Sequence, residues 1–293
     1  MTANSRLLFW FIVCPMTYII GLIGLPVAYN ALMSVQDVQL SNLGTLFRPF
    51  VGLTNFATAA SDPLFRQVAL NTAVFVVCNL IGQVGLGTIV AAFLSSPFPG
   101  STTIRGLLLV TWILPGLVVG TVWKWMFATQ YGVVNFVLHS LGVIDQNIAW
   151  LSDPRISMTA LNVAHIWFGM PFSMILIAAA LTSIPRELYE AAAIDGAGPI
   201  RRFLYITLPS IKPAILAVCC LIVVSALRAF DVIVALTQGG PVNATNVLPL
   251  FAYQTSFVEF NFGIGAAIGS FAFLLVFIVA LVYVRTIRSE QSA

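Results

Sequence analysis

Charged residues are scarce in this sequence. Of its 293 residues only 8% are Asp, Glu, Lys or Arg, and the mean hydropathy is +0.99. A soluble domain carries roughly 25% charged residues, so this composition excludes one and predicts an integral membrane protein. The net charge of +3 is small and does not indicate a nucleic-acid partner.

Lysine, histidine and cysteine are also rare. A nucleotide-binding P-loop ends in Gly-Lys-Ser/Thr, but neither lysine, Lys124 or Lys212, follows a glycine. The two histidines, His139 and His165, have no metal-ligand spacing around them. The four cysteines lie inside apolar runs, where small packing residues are expected: Cys14, Cys78, Cys219 and Cys220. We therefore expect no catalytic residue, no metal and no cofactor bound by this chain itself.

Long apolar runs are what the sequence does contain. About 20 apolar residues in a helix cross the roughly 30 Å of bilayer hydrocarbon. Six runs are long enough, namely residues 7–33, 68–94, 106–127, 158–181, 213–236 and 262–284. The first is too long for a signal peptide and lacks a small-residue cleavage site. Because a helix satisfies its own backbone in lipid, the predicted fold class is an all-α membrane protein with six transmembrane helices.

The basic residues predict the orientation of these helices. With the N-terminus in the cytoplasm, eight of the thirteen Lys and Arg residues lie inside: Arg6, Arg105, Arg186, Arg201, Arg202, Lys212, Arg285 and Arg288. The positive-inside rule therefore predicts cytoplasmic termini and a cytoplasmic loop at residues 183–213. Residues 34–67, 128–157 and 237–261 are then external loops. No internal repeat is visible, so residues 1–293 are interpreted as a single transmembrane domain.

The 183–213 loop is the longest polar, helix-forming interruption between apolar runs. Residues 186–194 are rich in Glu, Leu and Ala, which favour a helix, with Ser183 as its predicted N-cap. Gly196 is predicted to end this helix and turn the chain, and a second short helix is predicted over 200–208. Such a bent pair of helices at a membrane surface forms a rigid knob that another protein can grip.

The spacing within this loop resembles the EAA signature of permease subunits of bacterial ATP-binding-cassette importers. The sequence has Glu190-Ala191-Ala192, three residues, Gly196, nine residues, Ile206, one residue and Leu208-Pro209, so every fixed position is occupied. The resemblance implies the type I importer (MetI-like) fold. It also implies that the following residues couple the chain to an ATPase: Glu190, Ala191, Ala192, Asp195, Gly196, Ile206, Leu208 and Pro209. Glu190 is then the charged contact, and Gly196 permits the tight turn.

Other segments resemble the MalF-like and UgpA-like permeases of carbohydrate importers. Phe230-Asp231, followed by Leu-Thr-Gln-Gly-Gly-Pro at 236–241, is similar to the segment after the fifth span in that subset. The resemblance implies import of a sugar or sugar-like solute across the bacterial cytoplasmic membrane. Its implied partners are membrane lipid, a second, MalG-like permease, two ATPase subunits that bind the ATP, and an extracytoplasmic solute-binding protein.

Polar residues inside the predicted spans indicate a solute path, because such groups usually face a cavity or a partner. In the fourth run, Asn162, His165 and Gly169 are three and four residues apart and share one helix face. In the fifth run, Arg228 is expected to have a charge partner or to face a water-filled cavity. Asp231, three residues later, is within its reach on the same helix.

The resemblance adds to this set, since family members hold sugar with the spans before and after the loop. The resulting solute-path prediction comprises His165, Phe168, Gly169, Phe172, Ser225, Arg228, Ala229 and Asp231. Structural alternatives remain for several of them. His165 can hydrogen-bond a neighbouring helix, the Phe residues can be ordinary packing, and Arg228 with Asp231 can be a pair at a subunit interface. Asn71, Asn79 and Gln83 are interpreted as hydrogen-bonding links between helices.

Three function classes are compatible with a polytopic chain of this kind. An importer permease fits the loop best, for a sugar or for another solute such as an amino acid. A secondary transporter would work without ATPase subunits and more often shows internal repeats or membrane carboxylates, for which Asp231 is the only candidate. A membrane-embedded enzyme needs paired carboxylates, metal spacing or a nucleophile with a base, and no such pattern is present.

Overall fold

The computed structural model describes residues 3–45, 48–95 and 98–291. These residues are helical almost throughout, and the extended pairing within the described part is limited to two isolated bridges. The helices are α1 (Ala3–Ile19), α2 (Leu25–Ser34), α3 (Thr54–Ser61), α4 (Pro63–Ser95), α5 (Ser101–Ile113), α6 (Gly116–Met126), α7 (Val133–Ser140), α8 (Ser157–Thr182), α9 (Arg186–Ile194), α10 (Pro199–Arg202), α11 (Leu208–Ser210), α12 (Lys212–Leu227), α13 (Asp231–Leu236), α14 (Leu248–Phe257) and α15 (Phe262–Gln291). Two π-helical turns, Ile20–Gly24 and Phe203–Thr207, join α1 to α2 and α10 to α11, and a 3₁₀ turn covers Leu40–Asn42.

Four helical stretches of the described residues are long and apolar enough to cross a membrane. They are Phe9–Ser34, α4, α8 and Phe262–Thr286 within α15. Two further stretches qualify only as bent pairs, α5 with α6 at 103° and Pro199–Ser210 with α12 at 68°. The chain is thus an all-helical membrane protein with four to six candidate spans, and the predicted number of six is the upper value.

The third predicted run, 106–127, is not one helix, and Pro115 explains why. The residue before a proline is pushed out of the helical region, and Leu114 is extended with ψ 143°. Proline also has no N–H to continue the ladder. The helix restarts at Gly116, with the N–H of Val118 donating to the Pro115 carbonyl at 2.9 Å.

The fifth predicted run, 213–236, is likewise two helices. α12 ends at Leu227, and α13 begins at Asp231. The prediction that Arg228 and Asp231 share one helix is therefore wrong. Arg228 follows the C-terminus of α12, where positive charge interacts favourably with the helix dipole. Residues 228–230 are not helical, so non-helical chain follows Arg228 and precedes Asp231.

The chain folds as two compact units, of which the first comprises Met1–Arg66 and Phe251–Leu274. In this unit α2 and the first part of α15 are joined by Asn30, whose Nδ2 donates to Ser270 Oγ at 3.1 Å and to the Ala266 carbonyl at 3.3 Å. The ring of Phe271 meets Phe56 of α3 edge-on at 5.4 Å. Amide and aromatic contacts therefore hold these helices together.

The second unit comprises Gln67–Leu250 and Leu275–Ala293 and is built on α4 and α8. One buried cluster contains Phe75, Val119, Leu161, Ile233 and Leu236. A second contains Ala91, Leu94, Met174, Ile177 and Ile222. Glycines permit close helix contacts: a Cβ at Gly87 of α4 would lie 2.8 Å from Cβ of Ser173 in α8. On α4, the buried polar residues Asn79 and Gln83 lie between Phe75 of the first cluster and Ala91 of the second.

Candidate functional site

A cavity of about 420 Å³ opens in the second unit, at the level between its two apolar clusters. Its walls come from α4, α8, the bend between α5 and α6, and the break between α12 and α13. Each of the eight residues predicted for the solute path lines it: His165, Phe168, Gly169, Phe172, Ser225, Arg228, Ala229 and Asp231. The helix breaks at Pro115 and Arg228 shape this cavity, because they bring non-helical chain and short helices against α8.

The charged wall of the cavity differs from its prediction. Arg228 and Asp231 both line the cavity and are exposed. No ion pair joins Arg228 to Asp231 among the described residues. Of the two alternatives expected for Arg228, pairing with Asp231 along one helix is therefore wrong, whereas a cavity is present beside it. Their charged groups are instead available to whatever occupies or covers this side of the chain.

Aromatic rings form another wall. Trp112 of α5 stacks on Phe172 of α8, with centroids 4.9 Å apart and ring planes 15° apart. The ring of Phe168 meets His165 edge-on at 6.1 Å. The cavity is also lined by residues outside the sequence prediction, among them Trp112, Gly116, Phe230 and Gln83. The proline after α5 was the available signal for Trp112, since it marks a bend beside the cavity.

Gln83 and His165 contribute polar groups to the cavity wall, and they belong to a hydrogen-bonded cluster of amide and imidazole groups from α4 and α8. Asn79 Nδ2 donates to Asn162 Oδ1 at 2.9 Å, and Asn79 Oδ1 lies 2.7 Å from His165 Nδ1. Gln83 Nε2 donates to Asn79 Oδ1 at 3.1 Å. The interpretation of Asn79 and Gln83 as links between helices agrees with these contacts, although Gln83 also faces the cavity.

Gly169 has a specific packing role in this wall. A Cβ at this position would lie 2.3 Å from Gln83 Oε1 and 2.7 Å from its Nε2. Any side chain there would displace the Gln83 amide. The absence of a side chain at Gly169 thus lets the polar end of Gln83 reach the cavity between α4 and α8.

The 183–213 loop folds as the predicted helix, turn and second helical segment. Gly196 has φ +74°, in the left-handed region that favours glycine. The N–H of Gly196 donates to the Ala193 carbonyl at 3.1 Å, and the N–H of Ala197 donates to the Ala192 carbonyl at 2.9 Å. These two bonds are the Schellman pattern that closes a helix C-terminus. Ser183 is not the N-cap of α9 as predicted, because it ends α8 and its Oγ donates to the Ala180 carbonyl.

One side-chain bond ties the two arms of this loop. The hydroxyls of Tyr189 in α9 and Thr207 lie 2.8 Å apart, and Thr207 is buried. Tyr189 and Ile206 also pack against the second apolar cluster, so the loop is anchored to the helices below it. The second helical segment runs over Pro199–Ser210, somewhat longer than predicted.

The outer surface of the loop is both apolar and charged. Ile194 is 88% exposed, and Ile200 and Tyr205 are also largely exposed. The predicted coupling residues divide into two groups. Six are exposed, namely Glu190, Ala191, Asp195, Gly196, Leu208 and Pro209, whereas Ala192 and Ile206 are half-buried. A surface of this kind on a short, fixed pair of helices suits contact with another protein.

The sequence matches a known protein family and several named proteins. Residues 83–289 match the family described as "Binding-protein-dependent transport system inner membrane component". The sulfoquinovosyl glycerol transport system permease protein SmoG of Agrobacterium fabrum is 35% identical over 98% of this chain and 92% of its own length. The trehalose/maltose transport system permease protein MalF of Thermococcus litoralis is 36% identical over 83% of this chain and 82% of its own length.

The fold matches a solved structure over almost its whole length. The crystal structure of a bacterial ABC transporter involved in the import of the acidic polysaccharide alginate contains a chain that superposes with a TM-score of 0.81. The match covers 98% of this chain and 96% of the other at 20% sequence identity. The overall helix arrangement is therefore shared.

Proposed function

The chain belongs to the family of binding-protein-dependent transport system inner membrane components, and we propose that it is the permease subunit through which a sugar or sugar-like solute enters a bacterial cell. The solute crosses the cytoplasmic membrane in an importer driven by ATP. The names of the two relatives given above include sulfoquinovosyl glycerol and trehalose/maltose, respectively. Their similarity over most of this chain supports a carbohydrate.

The cavity is the observation on which the proposed solute path rests. All eight predicted residues line it, together with the stacked pair Trp112 and Phe172. A sugar has apolar C–H faces and hydroxyl edges. Aromatic rings suit the faces, and a small number of placed polar groups suits the edges. In this proposal Phe172 and Phe168 contact the sugar rings, and His165, Ser225 and Asp231 contact hydroxyl groups.

The 183–213 loop carries the proposed link to ATP hydrolysis. The chain has no P-loop, so in this proposal two partner ATPase subunits bind and hydrolyse ATP, and the loop sits in a cleft on one of them. Exposed Glu190 and Asp195 supply the polar contacts, and Ile194 and Ile200 supply the apolar ones. The loop is cytoplasmic in this arrangement, the termini are too, and residues 34–67, 128–157 and 237–261 are external.

A second, MalG-like permease and an extracytoplasmic solute-binding protein complete the proposed importer. The exposed Arg228 and Asp231 lie at the side of the cavity where the second permease or the solute would provide partners. Charged groups within a membrane span need a partner or a water-filled cavity. The proposal therefore assigns this side of the cavity to the interface between the two permeases.

The test is uptake by the reconstituted importer in liposomes. The chain is combined with its second permease, ATPase subunits and binding protein, and uptake of trehalose, maltose and sulfoquinovosyl glycerol is measured, with methionine as a non-sugar control. We expect ATP-dependent uptake of at least one sugar and none of methionine. Uptake by the chain without ATPase subunits would refute an ATP-driven importer, and uptake of methionine alone would refute a carbohydrate.

A matched pair of variants tests the cavity itself. Trp112→Ala removes the ring stacked on Phe172, whereas Trp125→Ala removes a ring that is 73% exposed and does not line the cavity. Loss of an aromatic contact corresponds to about a 2- to 10-fold effect. We expect Trp112→Ala to lower sugar uptake by about this factor and Trp125→Ala to leave it unchanged. Equal effects of the two variants would contradict the proposed path.

A further inference from the structure

The amide cluster beside the cavity is buried where polar groups are unfavourable. Asn79 is 0% exposed, and Gln83 and His165 are each 4% exposed, within helices that qualify as membrane spans. Packing between α4 and α8 does not require three such groups at one level. The hydrogen bonds within this cluster determine which of its donor and acceptor atoms remain available to a molecule in the cavity.

Backbone carbonyls fix the orientation of the amides. Asn79 Nδ2 lies 2.8 Å from the Phe75 carbonyl, which only accepts, so this atom is the nitrogen donor. Asn162 Nδ2 donates to the Met158 carbonyl at 2.8 Å in the same way, which leaves Asn162 Oδ1 to accept from Asn79. Asn79 Oδ1 is then an acceptor. His165 Nδ1, 2.7 Å away, must be its donor and must carry a proton.

Two acceptor atoms are left over. With the proton on Nδ1, the neutral imidazole of His165 presents Nε2 as an acceptor, and no described residue donates to it. Gln83 Nε2 donates to Asn79 Oδ1 and to the His165 carbonyl, at 3.1 and 3.5 Å. Its 3.4 Å contact with His165 Nδ1 joins two donors and is not a hydrogen bond. Gln83 Oε1, beside Gly169, therefore also remains an acceptor without a donor among the described residues.

We propose that Asn79 is a positioning residue that holds His165 in its Nδ1–H form, so that His165 Nε2 and Gln83 Oε1 accept hydrogen bonds from hydroxyl groups of the transported solute. Gln83 is thereby a solute-contacting residue and not only a link between helices. This inference rests on the proposed function, because it assumes a solute in the cavity. The two acceptors on this wall select solutes that donate, as sugar hydroxyl groups do, and disfavour a carboxylate or phosphate at the same place.

The protonation state of His165 can be read directly, because the chain has only two histidines. Only this chain is labelled with ¹⁵N-histidine, it is assembled with unlabelled partner subunits, and His139→Gln removes the other signal. His139 is an exposed residue of α7 and does not line the cavity. We expect the ¹⁵N spectrum of His165 to show a protonated Nδ1 and an unprotonated Nε2. Asn79→Leu, which removes the acceptor, should shift the ring toward the Nε2–H form. A wild-type Nε2–H or doubly protonated ring, or no change in Asn79→Leu, overturns the proposal.

Uptake measurements distinguish a positioning role of Asn79 from general damage to the structure. In the liposome assay, with the panel sugar that wild type takes up, Asn79→Leu and Gln83→Leu should each lower maximal uptake by about tenfold, as expected for loss of one hydrogen bond. Both variants should assemble with the partner subunits in the wild-type yield, and Gln83→Leu should keep the Nδ1–H form. Unchanged uptake in both variants, or loss of assembly in parallel with uptake, overturns the inference. Failure of every panel sugar would be the failure of the proposed function, and the spectrum, which needs no solute, still decides whether Asn79 positions His165.

Discussion

Gly196 offers a test of the 183–213 loop that acts through backbone conformation and not through contacts of a new side chain. Its φ of +74° is the conformation that closes α9, and a Cβ there would have no neighbour within 4 Å. Gly196→Ala therefore introduces conformational strain without a steric clash. Gly198 is a matched control two residues away, since its φ of −69° and ψ of 168° suit alanine and its Cβ position is equally open.

The magnitudes follow from these angles. Placing alanine in the left-handed region costs roughly 1–2 kcal/mol, which changes the ratio of the native turn to its alternatives by a factor of roughly 5–30. Gly196→Pro has a larger effect. Proline fixes φ near −65°, about 140° from the observed angle, and removes the N–H that donates to the Ala193 carbonyl. Gly198→Ala should stay within about 0.5 kcal/mol of wild type.

The assay is the number of solute molecules imported per ATP hydrolysed in the reconstituted importer. We expect wild type and Gly198→Ala to be equal, Gly196→Ala to be lower, and Gly196→Pro to assemble weakly or to hydrolyse ATP without uptake. A ratio that falls equally in Gly196→Ala and Gly198→Ala would show that the left-handed turn is not what matters. Full coupling in Gly196→Pro would refute the role of this loop.

Two further predictions concern contacts between helices. Tyr189→Phe removes the hydroxyl bonded to Thr207 but keeps the ring. It should lower the stability of the complex by about 0.5–1.5 kcal/mol, measured by thermal unfolding. It should also reduce the number of solute molecules imported per ATP, measured in the same liposome assay. Unchanged values would mean that the hydroxyl contact does not brace the loop. Gly87→Ala forces a Cβ to within 2.8 Å of Ser173 Cβ and should destabilise the protein by about 1–3 kcal/mol. Gly85→Ala on the same helix meets nothing within 4 Å and should be neutral or stabilising, and equal melting temperatures for these two variants would contradict the close packing of α4 on α8.

Local signals in the sequence predicted the helical class and the shape of the 183–213 loop. Glycine at position 196 predicted a turn because its backbone reaches angles that other residues avoid, and the structure confirms the turn. The residues of the solute-path prediction also come together in one cavity. Helical spacing sufficed for His165 and Gly169 of α8, because a helix places residues three and four apart on one face, whereas Phe168, Phe172, Ser225 and Ala229 were predicted from the family resemblance.

The parts that escaped prediction depend on competition between local and tertiary effects. Hydropathy averages over a window, so it joined residues on both sides of Pro115 into one run although the proline separates two helices at 103°. It also joined α12 to α13 across Arg228. Trp112 could not be placed beside Phe172 from the sequence, because their stacking depends on how α5 packs on α8. The pairing of Asn79 with His165 likewise joins residues 86 positions apart.

The cavity and the 183–213 loop are connected by two helices of the same unit. α8 carries His165 and Phe172 and continues to Thr182, immediately before the loop, while α12 begins at Lys212, immediately after the turn at Ile211, and ends beside Arg228. At 1.5 Å per residue, the 16 residues of α12 extend about 24 Å. Because the Tyr189–Thr207 contact fixes the loop arms to each other, a displacement of the loop acts on α8 and α12 together. In the proposed importer, a partner that displaces the loop would therefore move the parts of the cavity wall formed by α8 and α12 together.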